Sequence, residues 1–108
     1  MVLRVDDKYV RYANLKGELV TKLPIDVSAN MNMKTDNAKC KILKYTHPKK
    51  YKIVFAGKFY EHNQNNTRKI DDIIEHELAH IKYPCNHGAG FRKLAKRLGA
   101  PERYQEAR

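Results

Sequence analysis

The chain is 108 residues long, enough for one domain and too short for two ordinary ones. Hydrophobic residues make up 42% of it and it holds only 5 Gly and 4 Pro, so wholesale disorder and fibrous folds are excluded. Lys and Arg number 22 against 12 Asp and Glu, a formal charge of +10, which draws a protein to polyanions and makes nucleic acid a candidate partner. No apolar run approaches the roughly 20 residues of a membrane helix, so no membrane is expected as a partner. The start, Met1-Val-Leu-Arg-Val-Asp-Asp7, lacks the basic-then-apolar plan of a signal peptide, and the expectation is a cytoplasmic protein. Two cysteines, Cys40 and Cys85, are too few for a disulfide scaffold.

From Asp6 to Leu23, apolar and aromatic residues at Tyr9, Tyr12, Ala13, Leu19, Val20 and Leu23 suit a helix imperfectly, because Gly17 interrupts it and Pro24 ends it. The period then changes. Ile25, Val27 and Ala29 alternate, followed by Cys40 and Ile42, then by Ile53 and Phe55, which predicts three short strands with Thr46 to Lys50 as the turn between the last two. The last strand, Lys52 to Phe55, is expected at an exposed edge of the sheet. Asn63-Gln-Asn-Asn66 reads as loop.

A helix is predicted to start near Asn66 or Thr67 and to stop at Pro84, with Ile70, Ile74, Leu78 and Ile81 as its apolar stripe and His76 and His80 projecting away from that stripe. A final helix runs from about Ala89 to Leu98, with Phe91, Leu94, Ala95 and Leu98 on one side and Arg92, Lys93, Lys96 and Arg97 on the other. Gly99 and Pro101 are its stop signals.

The chemistry lies in His76-Glu77-Leu78-Ala79-His80, an HExxH pattern. Four residues are a little over one helical turn, so both imidazoles point the same way and can share one metal ion, with Glu77 beside them to handle a metal-bound water. Catalytic zinc sites take three protein ligands and keep one position open. His87 is the expected third ligand, since Gly88 follows it at a helix start; Cys85, Glu102 and Glu106 are the rivals.

The residues Ile73-Ile-Glu-His-Glu-Leu-Ala-His80 and His87-Gly-Ala-Gly-Phe91 resemble the SprT-like (Spartan-type) zinc metallopeptidases, in which an HExxH helix is followed by a His-Gly-x-x-Phe segment. Upstream, Ile25-Asp-Val-Ser28, Met33 to Thr35, Ala38-Lys-Cys40 and Tyr51-Lys-Ile-Val-Phe55 are similar to the same family, so the resemblance covers about residues 20 to 99. The six residues between His80 and His87 form a spacer closer to those of the small WLM and YgjP-like peptidases. Selecase and the minigluzincins are similar in size and motif.

The resemblance implies a single α+β domain over residues 1–108, a minimal zincin with a small three-stranded mixed sheet, an HExxH active-site helix and a C-terminal helix. It implies one Zn2+ per chain on His76, His80 and His87, with Glu77 as the catalytic residue of a metalloendopeptidase that acts on protein or peptide. With the charge of +10 it points to DNA-associated substrates, with Lys49, Lys50, Lys52, Lys58, Lys93, Lys96 and Arg97 as candidate phosphate contacts. Tyr83 and Tyr60 are candidate oxyanion donors, and the tail Pro101 to Arg108 is a candidate cover for the cleft. The competing reading is a non-enzymatic basic nucleic-acid-binding protein whose zinc is structural and closed by Cys85.

Overall fold

The computed structural model describes residues 2–33, 38–43, 50–83 and 87–100. The elements run, in chain order, β1 (Val2–Leu3), α1 (Asp7–Gly17), β2 (Ile25–Asn30), β3 (Ala38–Leu43), β4 (Lys50–Ala56), α2 (Gly57–Asn63), α3 (Thr67–Lys82) and α4 (Ala89–Leu98). This is the expected α+β class. The turn from Thr46 to Lys49, Pro84, Cys85 and the tail from Pro101 lie outside the described residues, as do the side chains of Cys40 and Ile42.

Helix α1 starts where the Asp6 carboxylate accepts from the backbone N–H of Lys8, 3.0 Å away, and satisfies one of the open donors of the first turn. It ends at Gly17, sooner than the apolar spacing suggests, because the chain needs room there for β2. A Cβ on Gly17 would stand 2.2 Å from Cδ1 of Ile25. The side chain of Asn14 ties the two elements together: its Nδ2 donates to the Ile25 carbonyl at 2.7 Å, and its Oδ1 accepts from the Ile25 N–H at 2.9 Å.

The three anticipated strands are present, and the two-residue β1 joins them in a mixed sheet of order β1-β2-β4-β3. Strands β2 and β4 run parallel, with Val27 opposite Ile53 and Ala29 opposite Phe55, while β3 is antiparallel to β4, with Ala38 opposite Phe55. The alternation read in Ile25, Val27 and Ala29 is the inward face of β2, all three buried, and it meets Ile53 and Phe55.

The order corrects one expectation. Strand β4, which includes Lys52 to Phe55, is paired on both sides, and the edge beyond it is β3. Sequential strands pair more often than not, but here β4 inserts between β2 and β3, a choice made by the sheet's packing and not by local propensity.

Helix α2 was not anticipated. Its seven residues carry Phe59 and Tyr60 into the core beside Phe55, with ring centroids 6.4 and 6.0 Å from it, so tertiary packing holds a segment too short to be a helix on its own. Helix α3 is capped by Asn66, whose side chain accepts from the Lys69 N–H at 3.3 Å. Ile70, Ile74 and Leu78 form its core stripe, as expected.

The opposite side of α3 is covered too. It packs against α1, β3 and α4, so Ile70 and the run from Asp72 to Ala79 are all buried, including His76, which the amphipathic reading placed away from the core. Helix α4 spans the expected residues and ends on Gly99, whose φ of 108° lies in the left-handed region that only glycine adopts freely. No described helix is long and apolar enough to cross a membrane.

Candidate metal centre

Three side chains anticipated as ligands come together. His76 and His80 sit one turn apart on α3, and the chain after α3 returns so that His87, next to the Gly88 cap of α4, faces both. The Nε2 atoms of His76 and His80 are 3.2 Å apart, and those of His80 and His87 are 3.1 Å apart. Ligating atoms of all three lie within 4.8 Å of one another, and among the described residues they form the candidate metal-binding cluster.

These separations suit an ion. Metal–nitrogen bonds of about 2.0–2.1 Å in a regular tetrahedron place nitrogens roughly 3.3–3.4 Å apart, near the spacing seen here. At this spacing one ring can donate an N–H to the next, and when the Nε2 atoms are deprotonated the same three lone pairs converge as the borderline-soft donor set that a divalent metal takes, so the residues fit such an ion.

Two features fix the ligands. The Nδ1 of His80 lies 3.1 Å from the carbonyl oxygen of Tyr83, so Nδ1–H donates outward and the lone pair of Nε2 is left for the metal. Tyr83 is itself held at the α3 C-terminus, where its N–H donates to the Ala79 carbonyl at 3.2 Å. Its ring occupies the place where a side chain on Gly90 would be, with Cε1 2.7 Å from an ideal Cβ there. A glycine two residues into α4 is therefore what lets the two helix ends close around the histidines.

Glu77 points the same way. Its Oε2 is 3.9 Å from Nε2 of His76, and both side chains are buried. This sets a buried carboxylate beside the candidate ligand nitrogens and not among them.

Of the two tyrosines considered as oxyanion donors, Tyr60 is a core residue. Its hydroxyl accepts from the Asp6 N–H at 3.0 Å, and its ring packs edge-on to Tyr9, which removes it from the site. Tyr83 is beside it. Cys85, Glu102 and Glu106, the rival third ligands, lie outside the described residues.

Composition and spacing missed a second polar group behind the site. Tyr12 of α1 donates its hydroxyl to Oε2 of Glu75, which is buried on α3 immediately before His76. The same carboxylate oxygen lies against Gly99, 3.0 Å from where a Cβ would be. Burial pushes the Glu75 carboxyl up from its ordinary value, the Tyr12 hydrogen bond opposes this, and the negative charge of Asp72 adds to it. The apolar stripe gives no signal for it, since at 100° per residue Glu75 falls outside the stripe of Ile70, Ile74, Leu78 and Ile81.

The candidate phosphate contacts among the described residues are spread over three elements, with Lys50 and Lys52 on β4, Lys58 on α2 and the rest on α4. Lys50 is engaged by Asp26, 3.7 Å away, and Lys58 stands on α2. Lys93, Lys96 and Arg97 share the exposed side of α4 with Arg92. Lys49 lies outside the described residues. Comparison with family models, curated proteins and solved structures finds no match for this chain.

Proposed function

We propose that this chain is a zinc metalloendopeptidase of the SprT-like kind, with His76, His80 and His87 as ligands and Glu77 as the proton-transfer residue. The observation that carries the reading is the convergence of three Nε2 atoms with a buried carboxylate 3.9 Å from one of them. Three neutral imidazoles are a donor set typical of zinc, and three protein ligands, the number found among the described residues, leave a position for water or substrate as catalytic sites do.

Bound there, the ion would supply Lewis acidity, polarising a carbonyl and making water more acidic. Glu77 does the rest of the proton work. Its Oε2 accepts the proton of the attacking water and returns it to the amine that leaves. Burial keeps bulk water from competing for that proton, and His80, oriented through Tyr83, keeps its Nε2 aimed inward. Tyr83, at the rim, is the remaining candidate to donate to the developing oxyanion.

An extended peptide would be captured on β3, an edge strand of the sheet among the described residues and the strand that runs beside α3, by main-chain hydrogen bonds that ask little of the side chains. The exposed basic side of α4, with the charge of +10, supports DNA-associated proteins as the substrate class.

The test is cleavage of an unfolded protein and of a basic protein, with and without DNA, by the zinc-loaded chain and by Glu77→Ala. Cleavage by the parent that is lost in Glu77→Ala and on chelation is the expected result. Equal cleavage by the two would overturn the assignment. Tight zinc binding with no cleavage of any substrate would favour the structural-zinc reading instead.

A further inference from the structure

The metal ligands make up three of four rings in a regular cluster; the fourth is Phe91. Ring centroids of His76, His80 and His87 are 4.8, 4.8 and 5.2 Å apart, a nearly equilateral triangle. Phe91 lies 5.0 Å from His76, 4.6 Å from His80 and 4.7 Å from His87. The six distances describe a tetrahedron of rings built from two pairs of residues four apart, His76 with His80 on α3 and His87 with Phe91 at the start of α4. Phe91 is fully buried.

A triangle of ligands has two sides, and a ring over its centre closes one of them. A phenyl ring is suited to this because it is wide, rigid and has no atom that could ligate or hold a water. It meets the imidazoles of His76 and His87 nearly edge-on, at 71° and 88°, which is the favoured arrangement for aromatic pairs. An ordinary core role for Phe91 predicts contact with some neighbouring apolar group; it does not predict equal distances to all three ligands.

We propose that Phe91 is the positioning residue of the metal centre: it bars one side of the three-histidine triangle, so that the ion takes a single outside ligand, from the opposite side. This rests on the metal-site reading above. Two consequences follow from the geometry. The ring holds the two imidazoles of α3 and that of His87, just before α4, in one arrangement before the ion arrives, which raises affinity. It also keeps any further ligand from reaching the ion on the side that it covers.

Cobalt(II) reports both, since a four-coordinate cobalt site has an intense visible absorption that weakens when further ligands enter. The metal-free chain, Phe91→Leu, Phe91→Met and Leu98→Ala are each titrated with cobalt(II) chloride and followed by visible absorption, with thermal unfolding measured alongside. Leu98 is the control, as it is equally buried on the same helix but seven residues farther on, about 10 Å along the axis.

The parent is expected to bind one cobalt with an intense band. Phe91→Leu and Phe91→Met should bind roughly 10- to 100-fold more weakly, with the band reduced by half or more. Leu98→Ala should unfold at lower temperature yet keep the parent's band and affinity. Phe91→Met decides the matter where Phe91→Leu does not fold. Folded Phe91 variants with the parent's band and affinity would overturn the positioning role while leaving the metal site intact, as would a Leu98→Ala that loses the band to the same extent. A parent that takes up no cobalt would overturn the metal site and this role together.

Discussion

The hydroxyl of Tyr12 on α1 donates to Oε2 of Glu75 on α3, joining the first helix to the residue immediately before a candidate metal ligand. Burial first, then the Glu75 hydrogen bond and charge, push the Tyr12 phenol well above its usual range, so it stays a donor at any working pH. The other oxygen of Glu75 is buried with no hydrogen-bond partner among the described residues, which leaves this carboxylate dependent on Tyr12.

Tyr12→Phe removes the donor and leaves the carboxylate behind. The expected cost is about 1–3 kcal/mol, read as a drop in melting temperature of roughly 4 °C or more per kcal/mol. Adding Glu75→Gln to Tyr12→Phe should recover part of the loss, because the two residues are coupled; full additivity of the two substitutions would contradict it.

Asp71, also on α3, has one buried oxygen with no hydrogen-bond partner among the described residues, and its carboxyl is pushed up, by burial first and then by the charge of Asp72, against a smaller opposing effect of Lys8. A carboxyl whose pKa rises on folding favours the folded state below its unfolded pKa and loses that contribution as pH rises through the folded value. At pH 7 the charge of Asp71 is therefore a cost. Asp71→Asn should melt higher than the parent at pH 7, by a few degrees at most, and the gap should close as pH falls into the carboxylate range. A gap that is constant with pH would rule this out.

Metal binding should show in unfolding as well. An ion that binds only the folded chain stabilises it by about 2.7 kcal/mol at one hundred times its dissociation constant, which for a domain of this size is a rise of roughly 10 °C. His87→Ala should keep the fold and lose most of that rise, with zinc per chain falling well below one by elemental analysis. Retention of both would move the third ligand elsewhere in the chain.

Glu77→Gln separates chemistry from binding. The amide fills the same space but cannot take a proton, so zinc content should match the parent while turnover falls by about 100-fold or more, measured as the initial rate of peptide cleavage. A loss of zinc in this variant would mean that Glu77 ligates instead.

Much of the candidate site was legible because it is local. HExxH fixes the relation of His76, Glu77 and His80 through the pitch of one helix, and Asn66 and Gly99 marked helix ends because caps act within a turn. The span of α4 followed from Phe91, Leu94, Ala95 and Leu98 for the same reason.

What distance in sequence hides was decided by packing. The insertion of β4 between β2 and β3 put β3 at an edge of the described sheet, because which strands pair depends on long-range burial and not on the residues of any one strand. Covering α3 on both sides buried His76 and Glu75, which a period of 3.6 alone assigns to the outer face. The same covering made Phe91 more than one member of an apolar stripe: four residues from His87 by sequence, it meets His76 and His80 only because α4 folds back onto α3. The sequence by itself determined the ligand types and their helical spacing; the tertiary structure decided which groups surround them, since burial and ring contacts exist only once separate helices share one core.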